Sequence, residues 1–158
     1  MDSRAFRNAM GRFATGVTVI TTKIGEEIHG MTANAFMSVS LEPKLITVSI
    51  DNRANMLTKL HKSNKFAVNV LADTQQDISM HFANQAKRCE EIPFEIFHSV
   101  PIIQDALVSV VCEVEQAFEV GDHTLFIGKV IAMESNQGSP LTFYKGQYGK
   151  YEPAEYVN

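Results

Sequence analysis

Apolar side chains at Phe6, Met10 and Phe13 fall at i, i+4 and i+7, which predicts an N-terminal helix capped by Asp2 or Ser3 and laid against a sheet. Ala14-Thr15-Gly16 ends it. The β-branched run Val17 to Thr22 predicts a strand, and Gly25 marks a hairpin turn before a return strand beginning near Ile28. From Leu45 to Ile50 the pattern alternates strictly, assigning Ile46, Val48 and Ile50 to a core and Leu45, Thr47 and Ser49 to a semi-polar face. Asp51 or Asn52 then caps a short helix that buries Met56, Leu57 and Leu60, and Phe66 to Leu71 is the next strand. Thr74 with Asp77 reads as a capping-box variant opening a helix through Ile78 and Phe82. Between Asn84 and Pro101 periodicity fades, and Pro93, Pro101 and mixed charge predict a surface loop.

Leu107 to Phe118 alternates again, with Val108, Val110, Cys112 and Val114 opposed to Ser109, Glu113 and Glu115, a long strand with one wet face. Gly121-Asp122 supplies the turn to its hairpin partner, His123 to Met133. After the polar loop Asn136 to Pro140, Leu141 to Tyr148 forms a last strand with Gly146 inside it, and a short aromatic tail runs from Gly149 to Asn158. Many strands, few short helices and no alternation of strand with long helix predict a mainly β fold, an antiparallel barrel, and exclude a doubly wound sheet. No repeat or linker divides the chain, so residues 1–158 read as a single domain.

One stretch does not fit the binary pattern. His29 to Leu41, HGMTANAFMSVSL, sets Thr32, Asn34, Ser38 and Ser40 among small and apolar residues, too polar for a plain core strand and too apolar for a loop. Small side chains admit a flat ligand close to the backbone, and hydroxyls and an amide hydrogen-bond a ring edge or phosphate; a strand turning a corner has the same composition.

Composition narrows the chemistry. With 158 residues, 45% of them hydrophobic, the chain is long enough to enclose a core. Fourteen basic and eighteen acidic residues give a formal charge of -4 without like-charge runs, which argues against nucleic acid or an acidic membrane as partner. MDSRAFRNAM has neither signal-peptide nor transit-peptide character, and no apolar run reaches membrane-spanning length, so a cytoplasmic protein is expected. Cys89 and Cys112 are then expected to be free thiols. The five histidines and two cysteines show no metal-ligand spacing, there is no GxSxG elbow, and neither GxGxxG nor a P-loop is present.

Three separated blocks, FRNAMGRFATGVTVITT, GMTANAFMSVSLEPKLITVSI and GDHTLFIGKV, resemble the short-chain flavin reductases, the reductase components of two-component aromatic hydroxylases of the phenol and 4-hydroxyphenylacetate type. The likeness runs from Phe6 to Tyr148. It implies a split β-barrel acting as a homodimer with flavin near the subunit interface, NADH or NADPH as donor, FMN or FAD as acceptor, and a separate oxygenase that receives reduced flavin. It places ring and ribityl contacts on Thr32, Ala33, Asn34, Ser38, Val39 and Ser40, and phosphate contacts on Ser49, Ile50, Asp51, Asn52, Arg53 and Asn55. Phe82 and Ala83 lie near the cofactor, and His123 and Tyr148 orient the nicotinamide, His123 as a hydrogen-bond donor. No acid, base or nucleophile is implied, since hydride passes between cofactor atoms. A flavin-binding barrel without turnover is the alternative of another class. A related oxidase would need a basic cluster that the scattered Arg12, Lys23 and Arg53 do not supply.

Overall fold

A computed structural model describes residues 1–155; the last three residues of the aromatic tail, 156–158, lie outside the described part. The elements in order are α1 (Ser3–Met10), β1 (Thr15–Gly16), β2 (Thr18–Ile24), β3 (Glu27–Ala33), β4 (Phe36–Leu41), β5 (Lys44–Asp51), α2 (Asn55–Ser63) and β6 (Lys65–Val70). A 3₁₀ turn at Asp73–Gln75 leads into α3 (Gln76–Phe82), followed by β7 (Phe94–Phe97), β8 (Val100–Ile103), β9 (Val108–Val120), β10 (His123–Ser135), β11 (Leu141–Tyr144) and β12 (Gln147–Lys150).

Seven strands form one antiparallel sheet in the order β3-β2-β6-β9-β10-β5-β4. Its two edge strands, β3 and β4, are consecutive in the chain and separated only by Asn34 and Ala35. A two-residue link spans less than about 11 Å even when extended, so the sheet curls until its edges meet. Hydrogen bonds hold each end of the link to its neighbouring strand, with Ser49 N of β5 donating to Ala35 O at 3.1 Å and the Thr18 hydroxyl of β2 donating to Ala33 O at 2.6 Å. The expected split barrel is therefore present. Its interior holds Ile20, Ile46, Val48, Ile50, Phe66, Val68, Val110, Cys112 and Phe126, with Met56 and Leu60 of α2 packed into it. At Gly128 an added Cβ would stand 2.8 Å from Phe66 Cζ and 2.9 Å from Cys112 Cβ, so that glycine lets the core close. Burial pushes the Cys112 thiol up to about 12.

A second cluster, Val17, Val19, Leu71, Ile78, Ile103 and Leu141, lies between the barrel, α3 and the small β1-β11-β12 sheet. The segment expected to be a surface loop contains the β7–β8 hairpin, whose Val100 and Ile102 pack with Ala67 and Val111. Its turn residues His98 and Ser99 both have positive φ, a hairpin turn without the usual glycine or asparagine. The hairpin covers the first half of the face of β9 expected to be wet, so Ser109 and Val111 are buried and β9 becomes exposed only toward its end.

Asn69 joins hairpin to barrel. Its Nδ2 donates to Val19 O at 2.9 Å and Thr21 Oγ1 at 3.0 Å, and its Oδ1 accepts from Ile103 N and Ser109 Oγ, both at 2.9 Å.

Other local expectations need correction. Asp51 and Asn52 do not cap α2; Ala54 stands at the N-cap without a side-chain bond. The Thr74–Asp77 box is absent, and instead Gln75 Oε1 accepts from Ala72 N at 3.0 Å. Gly146 is not inside a strand: Lys145 and Gly146, both at positive φ, turn β11 into β12. Asp2 does cap α1, accepting from Arg4 N and Ala5 N, but α1 buries nothing, and Phe6, Met10 and Phe13 are each more than half exposed. Among the described residues no sheet covers that stripe.

Removing the Asn69 side chain strands buried donors and acceptors on three elements. Asn69→Ala is expected to lower the free energy of unfolding by about 3 kcal/mol, read from urea denaturation; a loss near that of a surface substitution would mean the hairpin is held by apolar contact alone.

Candidate active site

The site grows from the outer face of β5. Because Ile46, Val48 and Ile50 point inward, Thr47, Ser49 and Asp51 point outward, and register extends each into a row across the sheet. Thr47 stands opposite Met37 and Ile127, Ser49 opposite Leu125, which in turn faces Phe118, and Asp51 opposite His123, which faces Val120. Rows two residues apart are separated by roughly 7 Å. The seam residues Asn34 and Ala35, the segment from α1 to Gly16, and the Lys145-Gly146 turn wall this face into an open cavity of about 1620 Å³. That exceeds the few hundred to 1,000 Å³ of ordinary ligand pockets, leaving room for two planar ligands or for a ligand and a second protein surface.

The cavity wall is mostly apolar, with a few polar groups free to bond. Asn34 and Ser49 line it, and among the described residues neither side chain makes a hydrogen bond. Thr15 lines it too, its buried Oγ1 without a partner among the described residues. An orphaned hydroxyl in an apolar wall costs free energy unless a ligand or water satisfies it. Sequence alone does not point to Thr15, which reads there as a helix terminator; nothing in its local pattern marks an unpaired hydroxyl.

At the end of the rows lies a charged cluster. Asp51 Oδ1 accepts from Arg53 N at 2.8 Å and Arg53 Nε at 3.1 Å, and Oδ2 accepts from Arg53 Nη2 at 2.8 Å. These bonds hold the Asp51 carboxyl well below the usual carboxylate range, first through the guanidinium and then through the backbone N–H. Asn52 ties the cluster together: its N donates to Asp122 O at 2.9 Å and its Oδ1 accepts from Thr124 Oγ1 at 2.7 Å. His123 Nδ1 lies 2.7 Å from Asp122 Oδ1, a contact that also lowers the Asp122 pKa. A carboxylate only accepts, so this contact takes its proton from Nδ1 and leaves Nε2 as the ring nitrogen that Asp122 does not engage. Asn55 opens α2, whose uncapped N-terminus leaves backbone N–H groups beside Arg53.

Other expected site residues fall elsewhere. Ile50 is fully buried in the barrel, leaving only its backbone for a ligand. Ser38, Val39 and Ser40 lie on β4 at a bulge; Ser38 pairs with Ile46, five residues along β5 from Asp51 and so roughly 16 Å away. One phosphate cannot touch both groups, though an elongated ligand spans them. Thr32 and Ala33 end β3 beneath the seam, where Thr32 Oγ1 donates to Ser79 O at 2.6 Å and its proton is already committed. Phe82 lies against β3 at Gly30, where a Cβ would stand 2.4 Å from its ring, and packs on the second cluster, while Ala83 is the C-cap of α3; neither lines the cavity. Tyr148 sits one aromatic contact behind that wall, its ring 5.3 Å from cavity-lining Phe143.

The flavin reductase like domain family matches residues 10–152. This chain belongs to that family. It is 43% identical over 149 residues to an NADH-dependent flavin reductase of Rhodococcus, covering 92% of this chain and 85% of that protein. It is 38% identical over 145 residues to the reductase component of a 4-hydroxyphenylacetate 3-monooxygenase of Thermus thermophilus, covering 91% and 93%. A solved flavin reductase in its native state superposes with a TM-score of 0.94 at 50% identity, covering 97% of this chain and 100% of that one.

The Asp51 shift has a defined sign. Its contribution to stability is fully present above the ordinary aspartate pKa of about 4 and is lost as pH falls through the lowered value that Arg53 imposes in the folded state. Arg53→Gln is expected to bring the Asp51 titration, followed by carboxyl NMR, up toward that value; an Asp51 that stayed low would assign the effect to the backbone instead.

Proposed function

We propose that this flavin reductase family member transfers hydride from NADH to FMN or FAD and supplies reduced flavin to a separate oxygenase. The observation that carries this reading is the outer face of β5 and β10: a wide, flat, apolar cavity with unpaired Asn34, Ser49 and Thr15 groups and a histidine one row away. Bound nicotinamide and flavin supply the hydride chemistry itself. The chain's residues bind, orient and exclude water. Asn34 and Ser49 are suited to the polar edge of the flavin ring, with Thr32, Ala33 and Ser38 to Ser40 bordering it. The α2 N-terminus with Asn52, Arg53 and Asn55 is suited to phosphate. His123, fixed by Asp122, offers Nε2 to the amide hydrogens of a carboxamide. Asp51 is matched by its ion pair with Arg53, so the carboxylate left beside His123 is that of Asp122, which favours a ring that becomes positive as hydride leaves.

Anaerobic mixing with NADH and flavin is expected to bleach the yellow colour within minutes. Bound flavin that keeps its colour would leave a binding module without turnover. His123→Ala is expected to raise the Michaelis constant for NADH about tenfold with flavin affinity nearly unchanged; equal loss of both would make it a structural turn residue.

The working form is a homodimer with flavin near the interface. Support comes from apolar side chains that one chain leaves uncovered: Phe6 and Met10 on α1, Phe13 just beyond it, Met37 on the edge strand, and Phe118 and Val120 at the ends of the rows. Large apolar side chains left uncovered together are what a protein–protein interface covers. Phe118→Glu is expected to convert the protein in sedimentation from twice the chain mass to 17.6 kDa; an unchanged dimer would place the interface elsewhere.

A further inference from the structure

The two halves of the cavity wall come from distant parts of the chain, and one buried residue bonds to a residue behind each. Ser79, in the middle of α3, is completely buried. Its backbone carbonyl accepts from Thr32 Oγ1 at 2.6 Å, holding the end of β3 that runs into the Asn34-Ala35 seam. Its hydroxyl lies 2.8 Å from the Tyr148 hydroxyl. Tyr148 stands opposite Phe143 in the β11–β12 pair with the rings in edge contact, and Phe143 lines the same cavity as Asn34 and Ala35 of the seam. Among the described residues the Tyr148 hydroxyl has one other partner, Gln85 Oε1, at a long 3.5 Å, so Ser79 is its principal anchor there.

We infer that Ser79 is a positioning residue for the reductase reaction, fixing the separation between the seam that takes flavin and the Phe143–Tyr148 wall that takes nicotinamide. The inference rests on the flavin reductase reading and adds a residue to which that reading assigned nothing. Two flat rings exchange hydride only when held face to face at near-contact distance, and shifting one wall by an ångström slows the reaction far more than so small a change in packing would weaken binding. Tyr148 needs its hydroxyl held from below because its ring has an aromatic partner on one side only among the described residues. Hydroxyl and carbonyl act separately: the carbonyl sets the flavin side whatever the side chain, and the hydroxyl sets the nicotinamide side. Removing the hydroxyl therefore disturbs one ligand and spares the other.

Ser79→Ala, Tyr148→Phe and the double variant test this, with flavin affinity measured by fluorescence quenching and kcat and KM for NADH measured anaerobically. Each single variant is expected to lower kcat/KM for NADH about fivefold to tenfold with the flavin dissociation constant within twofold of the parent. The double variant is expected to be no worse than either single one, because both remove the same bond. Multiplying losses, parental kinetics in Ser79→Ala, or equal weakening of flavin and NADH would each overturn the inference. Should Ser79→Ala not fold, Tyr148→Phe breaks the same bond from the less buried side, and parental kinetics there overturn it equally. Failure of the unaltered protein to bleach flavin with NADH would instead sink the reductase reading, a result visible before any variant is made.

Discussion

The two-residue link between β3 and β4 is the constraint on which the rest of this structure depends. Those strands are the opposite edges of a seven-stranded sheet, and joining them through Asn34 and Ala35 leaves the sheet no option but to curl. The barrel closes at the point where the chain is least able to look like a strand. A corner needs small residues and local hydrogen bonding, and the amide and small side chains that make the corner also face the cavity. Fold closure and ligand recognition thus draw on the same residues, which accounts for a stretch neither core-like nor loop-like.

Alternation on β5 then converts that closure into a site. Inward side chains fill the barrel and make the strand rigid; outward ones inherit that rigidity without contributing to it. Ser49 and Asp51 are displayed on a scaffold held from behind by Val48 and Ile50 and from the side by β10. Sites built on paired strands hold position more closely than sites on loops. The charged cluster adds fixed orientation at one end, with Asn52 binding the β5 and β10 termini together.

Much of this was readable in the amino-acid order, though unevenly. The alternating strands Leu45 to Ile50 and Leu107 to Phe118 were clear because period-two patterning reports local geometry. The β7–β8 hairpin was hidden by Pro93, Pro101 and a His98-Ser99 turn lacking the usual turn residues, and with it went the burial of Ser109 and Val111. Asn69 looked like an ordinary strand residue, since its four partners lie on other segments. Among site residues, the resemblance named Asn34, Asp51 and His123, and register brings Asp51 and His123 side by side. It could not show that Thr32 spends its proton on α3, or that Asp122 engages His123 Nδ1. Those facts belong to tertiary contacts, to which one-dimensional patterns are blind.

Reduced flavins that meet dioxygen before reaching an oxygenase give hydrogen peroxide, so a protein with this chemistry works beside its own source of oxidative damage. Peroxide attacks thiolates far faster than thiols. Cys112, sealed between Phe66 and the backbone of Gly128, is kept in the unreactive form at any physiological pH and presents no surface to the oxidant. The other sulfhydryl, Cys89, stands outside both main clusters and exposed to solvent, so whatever oxidation this chain suffers at cysteine falls where the barrel has no stake in the outcome.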